Sequence, residues 1–558
     1  MTLCPWATYS RTAPGVMPTR NSLFLISFGT PTRILISSLA NWRPLSRLLR
    51  AVKSILAGIR NQRHPQQRGR RRWVAAVRIR GSSTRVFVVF IGGMRRYGDR
   101  KERAGTFRVS GQKTDAPSAS RSGFGLGAVL CALPAAYFGV AASYAVVNFS
   151  DFGGAVPQFI RYILAPTAIA GALLWTAFRA GRSTALIVGV NACAVMTALF
   201  LYEGFATYRL ARSAAAIPNA PENPHIAELG VERALPPRAT LRRLNRAIGG
   251  DVSLATAFLG GVPHENALLC VRPDGGLVTY KADKYGFNNP NAVYDAGILD
   301  IAVLGDSFVE GMCQKAGEDV AALLRKSGRN AASLGFRGNG PLIEYATLGR
   351  FGPSFRPKLT AILYYAGNDS ENLETEIETP WLRNALAPGA DFGELSPSAG
   401  QIDAARRAVA GFWGGDGVAT KTYEARLWRN FFALSQTSAV LGLHYPATPK
   451  ALPQYEAVLK KMRELTQSWG GDVVVLYVPR AERFRGALPN EFAFRVNERH
   501  VTDAASRAGV DVINLASEFK RQGDPRSFYA SDGHFSEKGA ALAARLIAER
   551  AAAKDGTE

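Results

Sequence analysis

The sequence predicts an α/β domain, a parallel sheet with helices on both faces, preceded by three transmembrane helices. In the C-terminal half, apolar β-rich runs alternate with helix-like segments, as in parallel sheets with crossover helices. The strand candidates are continuous apolar runs, such as residues 473–478, which is expected when both faces of a sheet are buried. Nearer the N-terminus, three apolar runs are long enough to cross a bilayer.

The core elements follow from this alternation. The predicted strands are residues 298–304, 331–336, 359–366, 472–478 and 511–516. The predicted helices are residues 318–327, 341–350, 453–468, 493–507 and 536–552. This domain is expected to span residues 291–558.

Residues 371–450 interrupt the alternation and are predicted to form an insertion. They contain five aromatic side chains of interest: Trp381, Trp413, Trp428, Phe431 and Phe432. We favour a surface insertion with its own small hydrophobic patch. A lid or substrate platform over the strand edge is the alternative, since aromatic rings suit sugar or acyl faces.

The positive charge is concentrated at the N-terminus. Residues 1–121 contain 24 Lys or Arg and 3 acidic residues, which leaves only +3 of the net charge of +24 for the rest. The acid-free segment 1–93 fits a basic arm that binds nucleic acid or anionic lipid, or a transit peptide. We favour a third interpretation, translation that starts near Met94, and otherwise expect disorder.

Three apolar runs follow the basic segment 94–123 and are predicted to span a membrane within residues 124–204. They are residues 124–147, 159–178 and 184–202. Buried core helices are the alternative. Basic residues are abundant before the first run and between the second and third, which places those segments in the cytoplasm. Everything after about residue 205 is then expected on the periplasmic side of a bacterial inner membrane.

Residues 205–290 are interpreted as a linker and lead-in. The stretch 216–237 is rich in Pro and polar residues. Strand-like pieces at residues 267–271 and 276–280 precede a turn-rich stretch that enters the first core strand.

Four loops of the predicted sheet contain residues suited to acyl transfer. The first is Gly305-Asp306-Ser307, where an apolar strand ends in a turn before a helix. The others are residues 332–341, residues 362–369, which end in Gly-Asn-Asp, and residues 531–536, which contain Asp-Gly-His. Strand ends of this kind form ligand sites in open α/β sheets. Taken alone, Ser307 is equally well explained as a turn or helix-capping residue.

Acyl transfer requires a nucleophile, a base, a residue that orients the base, and donors for the oxyanion. Ser307 is the candidate nucleophile, His534 the base and Asp532 its orienting partner. The candidate oxyanion donors are the backbone N–H groups of Ser307 and Gly338 and the side-chain amide of Asn368.

Together the four blocks resemble the SGNH, or GDSL-type, hydrolase family from about Tyr280 to the C-terminus. The resemblance implies a flavodoxin-like sandwich and the same roles for these residues. It favours Gly338 for the second block, with Gly335 as the alternative. Many members place two residues between the acid and the histidine, whereas here only Gly533 intervenes. Membrane-linked members with Asp-Gly-His are similar, so the resemblance keeps Asp532 as the acid. A Gly-x-Ser-x-Gly elbow is absent from the sequence, which argues against an ordinary α/β-hydrolase.

The remaining histidines and cysteines predict no metal site. The histidines are His64, His225, His264, His444 and His500, without metal-ligand spacing. Cys131 and Cys193 fall within predicted spans. Cys270 and Cys313 fall outside the membrane, where an oxidising compartment would permit a disulfide, but the sequence leaves their pairing open. Neither a P-loop nor a Rossmann glycine loop is present, so no cofactor is expected.

These observations predict a membrane-anchored SGNH-type serine hydrolase. It would cleave or transfer an acyl group, most plausibly acetyl, on a cell-envelope glycan or lipid through an acyl-serine. A non-catalytic glycan-binding or assembly component is the main alternative. Nucleic-acid binding depends entirely on residues 1–98 and is not expected. The sequence does not predict the oligomeric state.

Overall fold

The computed structural model describes residues 73–80, 85–92, 125–149, 156–215, 234–271, 276–413, 427–443, 453–488 and 490–555. Met94, the basic segment 94–123 and most of the predicted linker lie outside the described residues. Strand β1 (Trp73–Arg80) pairs antiparallel with β2 (Arg85–Gly92), and the two belong to a different unit from residues 122–558. The sequence analysis did not predict this strand pair.

Three helices have the length and apolar composition of membrane spans. They are α1 (Leu126–Val147), α2 (Val156–Arg179) and α3 (Arg182–Ala215), the last apolar up to Arg209. Small residues allow α1 and α3 to approach closely: a Cβ on Gly127 would lie 2.5 Å from the backbone nitrogen of Leu186. The three helices confirm that part of the predicted fold class.

The lead-in forms part of the main domain. It contains helix α4 (Leu241–Ile248) and the antiparallel strands β3 (Asn266–Val271) and β4 (Leu277–Lys281). The side chains of Leu235, Leu244 and Phe258 are buried in the same apolar cluster as one face of the central sheet. The lead-in is therefore packed onto the sheet and contributes to its core.

The central sheet has five parallel strands. In chain order the elements are β5 (Ile301–Gly305), α5 (Ser307–Glu310), α6 (Val320–Lys326), β6 (Ala331–Ser333), α7 (Pro341–Phe355), β7 (Leu359–Tyr365), α8 (Asp369–Ile377), α9 (Ala399–Gly411), α10 (Ser435–Leu441), α11 (Pro453–Gln467), β8 (Asp472–Val478), α12 (Arg495–Ala508), β9 (Asp511–Asn514), α13 (Leu515–Arg521) and α14 (Glu537–Asp555). The strand order is β6-β5-β7-β8-β9. The predicted α/β class with a parallel sheet is confirmed.

Helices cover both faces of this sheet because successive side chains of each strand point in opposite directions. In β5, Ala302 and Leu304 pack into the cluster formed with α7, α11 and α12. Ile301 and Val303 pack into the cluster formed with α6, α13 and α14. With both faces buried, the strands need no polar face, which explains their continuous apolar sequences.

The chain changes direction across the sheet at β5. It leaves β5 through α6 to reach β6 on one side, and returns through α7 to β7 on the other side. The carboxyl end of β5 is therefore the point at which the strand order reverses. Open α/β sheets bind ligands in the crevice at such a point.

Two predicted strands end at least two residues earlier than expected. β6 ends at Ser333 rather than at residue 336, because the following residues turn away toward the loop that precedes α7. β9 ends at Asn514 rather than at residue 516, because the Asn514 side chain accepts a hydrogen bond from the Ala516 backbone N–H and starts α13. Helix α13 was not predicted.

Candidate active site

Ser307 lies at the carboxyl end of β5, in the first turn of the short helix α5. The turn requires glycine at position 305, because φ is +153° and a Cβ would lie 2.6 Å from Val309 Cγ2. Asp306 caps α5, since its side chain accepts a hydrogen bond from the Phe308 backbone N–H at 3.0 Å. Ser307 is thus placed at the strand-order reversal.

His534 lies beside Ser307, although the two residues are near opposite ends of the domain's sequence. Its Nε2 lies 2.9 Å from Ser307 Oγ, although 227 residues separate them. Its Nδ1 lies 3.0 Å from Asp532 Oδ2. The second oxygen of Asp532 accepts a hydrogen bond from the His534 backbone N–H at 3.2 Å. The three side chains therefore form a continuous hydrogen-bonded series.

A single intervening residue is enough for this contact because Gly533 adopts a positive φ of +92°. The short Asp-Gly-His loop folds the carboxylate back against the imidazole ring. Burial alone would raise the pKa of Asp532, but the hydrogen bond and charge of His534 lower it below its ordinary value. A carboxylate that stays ionised suits the orientation of the imidazole.

Asn368 is held beside the turn that contains Ser307. Its Nδ2 donates a hydrogen bond to Asp306 Oδ2 at 3.0 Å, so the amide lies next to the residue that precedes Ser307. One amide hydrogen is used in this bond, and an amide nitrogen has two. The geometry is compatible with a second donation toward a bound oxyanion.

Gly335 and Gly338 have different structural roles. At Gly335 a Cβ would lie 2.4 Å from Val309 Cβ, so glycine permits the loop to pack against α5. At Gly338 φ is +73°, and a Cβ would lie 2.7 Å from Thr240 Cγ2. Both positions need glycine, but only Gly338 lies in the left-handed region, within the loop between β6 and α7.

Residues 443–558 match the family model described as SGNH hydrolase-like domain, acetyltransferase AlgX. This part of the sheet domain is SGNH hydrolase-like. The match confirms the resemblance to the SGNH family for the stretch that contains the fourth motif block. The matched stretch includes Asp532 and His534, whereas Ser307, Gly338 and Asn368 precede it. No curated protein matches the chain significantly.

A buried ion pair lies beside the turn that contains Ser307. Arg337 Nη2 lies 2.5 Å from Glu310 Oε1, and the two side chains are 3% and 0% exposed. The Arg337 backbone N–H also donates to Glu310 Oε2 at 2.8 Å. Glu310 ends the helix that begins with Ser307, and Arg337 precedes Gly338. The pair therefore joins helix α5, which begins at Ser307, to the loop that contains Gly338.

The lead-in completes the surroundings of this ion pair. Tyr280 Oη donates to Glu310 Oε1 at 2.8 Å, and Arg337 Nη1 donates to the backbone carbonyls of Pro236 and Leu268. Burial lowers the pKa of Arg337, but the Glu310 carboxylate raises it by more, so the net shift of the pKa is upward. Neither charged residue was singled out from the sequence, although Arg337 lies inside a motif block and Glu310 follows Ser307 by three residues.

A disulfide lies in the same region of the sheet domain. It joins Cys270 of β3 to Cys313, which follows helix α5. The sequence had left this pairing open because it gives no distance between remote residues.

Further carboxylates are buried behind the site. Burial raises the pKa of Asp306, and burial followed by repulsion from neighbouring carboxylates raises those of Glu344 and Asp369. Burial also raises the pKa of Glu376, to about 7. Among the described residues no group of three or more His, Cys, Asp or Glu side chains is arranged to hold a metal ion. His64, His225 and His444 lie outside the described residues.

The aromatic residues of the insertion separate into two groups. Trp381 packs against the main core, and Trp413 packs against Leu268 while its Nε1 donates to the Ala234 carbonyl. Phe431 and Phe432 instead contact Phe200 of the membrane helix α3, and Trp428 stacks on Phe432. Trp428, Phe431 and Phe432 contact one another beside α3, whereas Trp381 and Trp413 join the insertion to the core.

Proposed function

We propose that this protein is a membrane-anchored serine esterase or O-acyltransferase that forms an acyl-serine intermediate. The observation that supports the proposal is the series from Ser307 Oγ to His534 Nε2 at 2.9 Å and from His534 Nδ1 to Asp532 Oδ2 at 3.0 Å. Such a series activates a hydroxyl that is otherwise a weak nucleophile at neutral pH. The domain type, SGNH hydrolase-like, is consistent with it.

In the proposed reaction, Ser307 Oγ attacks the ester carbonyl carbon while its proton passes to His534 Nε2. The Asp532 carboxylate stabilises the imidazolium through Nδ1–H. The carbonyl oxygen becomes an oxyanion, which receives hydrogen bonds from the N–H groups of Ser307 and Gly338 and from Asn368 Nδ2. Collapse breaks the ester C–O bond, and His534 returns its proton to the departing alkoxide, leaving acyl-Ser307 and an alcohol.

The second half-reaction repeats these steps with a new nucleophile. His534 Nε2 removes a proton from water or from an acceptor hydroxyl as the oxygen attacks the acyl carbon. Water gives a carboxylic acid and hence an esterase. A sugar hydroxyl gives a new ester and hence an O-acyltransferase. In both cases Ser307 regains its proton from the imidazolium.

We propose acetyl as the acyl group and a cell-envelope glycan or lipid as the substrate. The matching family description names an acetyltransferase, which supports the acyl choice. The three apolar helices support a membrane location. The basic residues before α1 and between α2 and α3 favour a site on the periplasmic side.

Labelling of the full-length protein in detergent with a fluorophosphonate tests the proposal. We expect covalent labelling of the wild type, no labelling of Ser307→Ala, and strongly reduced labelling of His534→Ala. Ser468→Ala, which changes an exposed serine at the end of α11, should label as the wild type. An unmodified Ser307 in folded protein would contradict the proposed enzyme activity and support a role as a non-catalytic glycan-binding component.

A further inference from the structure

The insertion contains a short segment with exposed apolar side chains at the membrane helices. We define it as the interfacial segment, residues 427–443, which comprises helical residues 427–432 and helix α10. Trp428 is 62% exposed, Phe432 60% and Val440 55%. Large apolar side chains so exposed and so close together mark an interaction surface.

The interfacial segment is fixed to the membrane helix α3 by Glu203. This carboxylate is fully buried and accepts hydrogen bonds from the Gln436 N–H at 2.9 Å and the Thr437 N–H at 2.8 Å. The Thr437 hydroxyl donates a third bond, at 2.9 Å. Glu203 thus satisfies backbone donors in the first turn of α10. A carboxylate buried in an apolar helix is stable only with such partners.

Ring contacts extend this attachment. Phe200, one turn before Glu203 on α3, lies 5.4 Å from Phe431 and 6.5 Å from Phe432 between ring centroids. Tyr137 Oη of α1 donates to the Phe432 carbonyl at 3.2 Å. The interfacial segment therefore contacts two of the three candidate spans.

The length of α3 locates Glu203 relative to a bilayer. From Arg182 to Glu203 a helix rises about 32 Å at 1.5 Å per residue. The hydrocarbon core of a bilayer is about 30 Å thick. If Arg182 lies at one boundary of that core, Glu203 lies at the other. The interfacial segment is then level with the outer bilayer interface, where Trp and other aromatic side chains are favoured.

We propose that the interfacial segment binds the outer surface of the bilayer, with Trp428, Phe432 and Val440 inserted among the lipids. Its exposed surface continues the apolar surface of α3, through the contacts with Phe200. Between residues 427 and 443 the sequence contains one charged residue, Arg429. This composition suits lipid better than an aqueous surface.

The same attachment places a loop of the sheet at the bilayer. The Ala487 N–H donates to the Val440 carbonyl, and the Leu488 N–H donates to the Leu441 carbonyl, both at 3.0 Å. This loop follows β8, whose carboxyl end lies on the same sheet edge as Ser307. Lipid contact by the segment would therefore hold that edge close to the membrane surface.

Nitroxide accessibility in lipid nanodiscs tests the proposal with the full chain. Cys4, Cys131 and Cys193 are replaced by Ala, and the Cys270–Cys313 disulfide is kept. Spin labels are then introduced singly through Phe432→Cys and Val440→Cys. Val190→Cys, on the exposed surface of α3, is the lipid reference, and Arg545→Cys, on the exposed surface of α14, is the aqueous reference.

Labels at positions 432 and 440 are expected to collide more often with oxygen than with a polar nickel complex, as at position 190. The label at 545 should show the reverse. Greater collision with nickel at 432 and 440 would overturn the proposal. Protection from both reagents would also overturn it, because it would indicate that a protein surface, such as a second copy of the chain, covers the segment.

Glu203→Gln tests the attachment itself. The amide of glutamine has one acceptor oxygen for the three donors, and its NH₂ group is itself a donor. The attachment should therefore weaken, and the label at 440 should become more mobile and more exposed to nickel. Glu549→Gln, at an exposed position, should leave it unchanged. Unchanged behaviour of Glu203→Gln would contradict the proposed role of Glu203. Ser307→Ala should not alter any of these values, which separates this proposal from the proposed catalysis.

Discussion

Glu310 and Arg337 form a buried ion pair, 2.5 Å between Oε1 and Nη2, that links the helix beginning at Ser307 to the loop containing Gly338. Both candidate backbone donors of the oxyanion hole lie on these two segments. Their separation therefore depends on this contact as well as on the strand pairing between β5 and β6. The pair is a positioning device that touches no reacting atom in the proposed mechanism.

Arg337→Met should destabilise the domain and reduce acyl transfer. It leaves the Glu310 carboxylate buried without its cation, which costs about 3–5 kcal/mol in comparable cases. Denaturant unfolding of the detergent-solubilised protein, followed by circular dichroism, measures the change. The double variant Glu310→Gln/Arg337→Met should be less destabilised than Arg337→Met alone. Equal destabilisation of the two would show that the loss comes from packing and not from the unpaired charge.

Asn368→Ala should lower kcat and leave KM almost unchanged, because it removes a donor that acts on the developing oxyanion. Loss of one such donor costs about 10²–10³-fold in kcat in enzymes of this type. Hydrolysis of a soluble acetyl ester by the full-length protein measures both constants. Asp306→Asn keeps an oxygen for the Phe308 N–H and should cost less than Asn368→Ala. An Asn368→Ala enzyme with wild-type kcat would exclude the amide from the reaction.

The sequence was sufficient for the strands and for the residues at their carboxyl ends. Buried parallel strands are local apolar runs, so β5, β7 and β8 could be read directly from residues 298–304, 359–366 and 472–478. The positions of Ser307 and Asn368 could also be predicted, because each lies just after the end of a strand. These predictions needed no knowledge of which remote segments meet.

The sequence was insufficient where a structure depends on tertiary approach. Charged side chains are expected at the surface, so Glu310, Arg337 and Glu376 gave no sign of burial. The contact between Glu203 and Thr437 joins positions 234 residues apart, and hydrophobic periodicity contains no information about such a pair. For Glu310 and Arg337, their proximity to Ser307 and Gly338 in the sequence was the available signal.

Asp532→Asn should reduce acyl transfer by about 10²–10⁴-fold, because asparagine favours the wrong imidazole tautomer and cannot stabilise the imidazolium. Rates on the soluble acetyl ester measure the loss. Asp295→Asn, at an exposed position, provides the matched control and should retain wild-type rates. Full activity in Asp532→Asn would identify another residue as the partner of His534.

The same residue should affect stability in acid. His534 holds the pKa of Asp532 below its ordinary value, so the folded state releases this proton more readily than the unfolded state. The stabilising contribution is present above the ordinary Asp pKa of about 3.9 and is lost as the pH falls through the lower folded-state value. Unfolding free energies of wild type and Asp532→Asn should therefore converge as the pH is lowered below about 4. A difference that stays constant as the pH falls well below about 4 would contradict the ionic origin of the contribution.

Glu376 should have the opposite effect, because its contribution to stability is lost as the pH rises. It is fully buried, and its oxygens accept hydrogen bonds from the Gly340 N–H at 2.6 Å and the Leu342 N–H at 3.0 Å, at the start of α7. Burial raises its pKa to about 7 although these bonds and Arg242 oppose the shift. The folded state therefore keeps a proton that the unfolded chain releases at its ordinary value of 4.5. Between these two pH values the free energy of unfolding should fall as the pH rises.

Denaturant unfolding of the wild type and Glu376→Gln at several pH values between 4.5 and 7 measures this contribution. The shift corresponds to about 3 kcal/mol over that interval, at 1.36 kcal/mol per pH unit. Glu344 and Asp369 also have raised pKa values, so the wild-type decline includes their protons. The difference between the two proteins contains the Glu376 proton together with its repulsion of these two carboxylates. Glu376→Gln should decline less steeply, while Glu549→Gln should follow the wild type. Parallel curves for wild type and Glu376→Gln would mean that the Glu376 carboxylate is already ionised throughout this range.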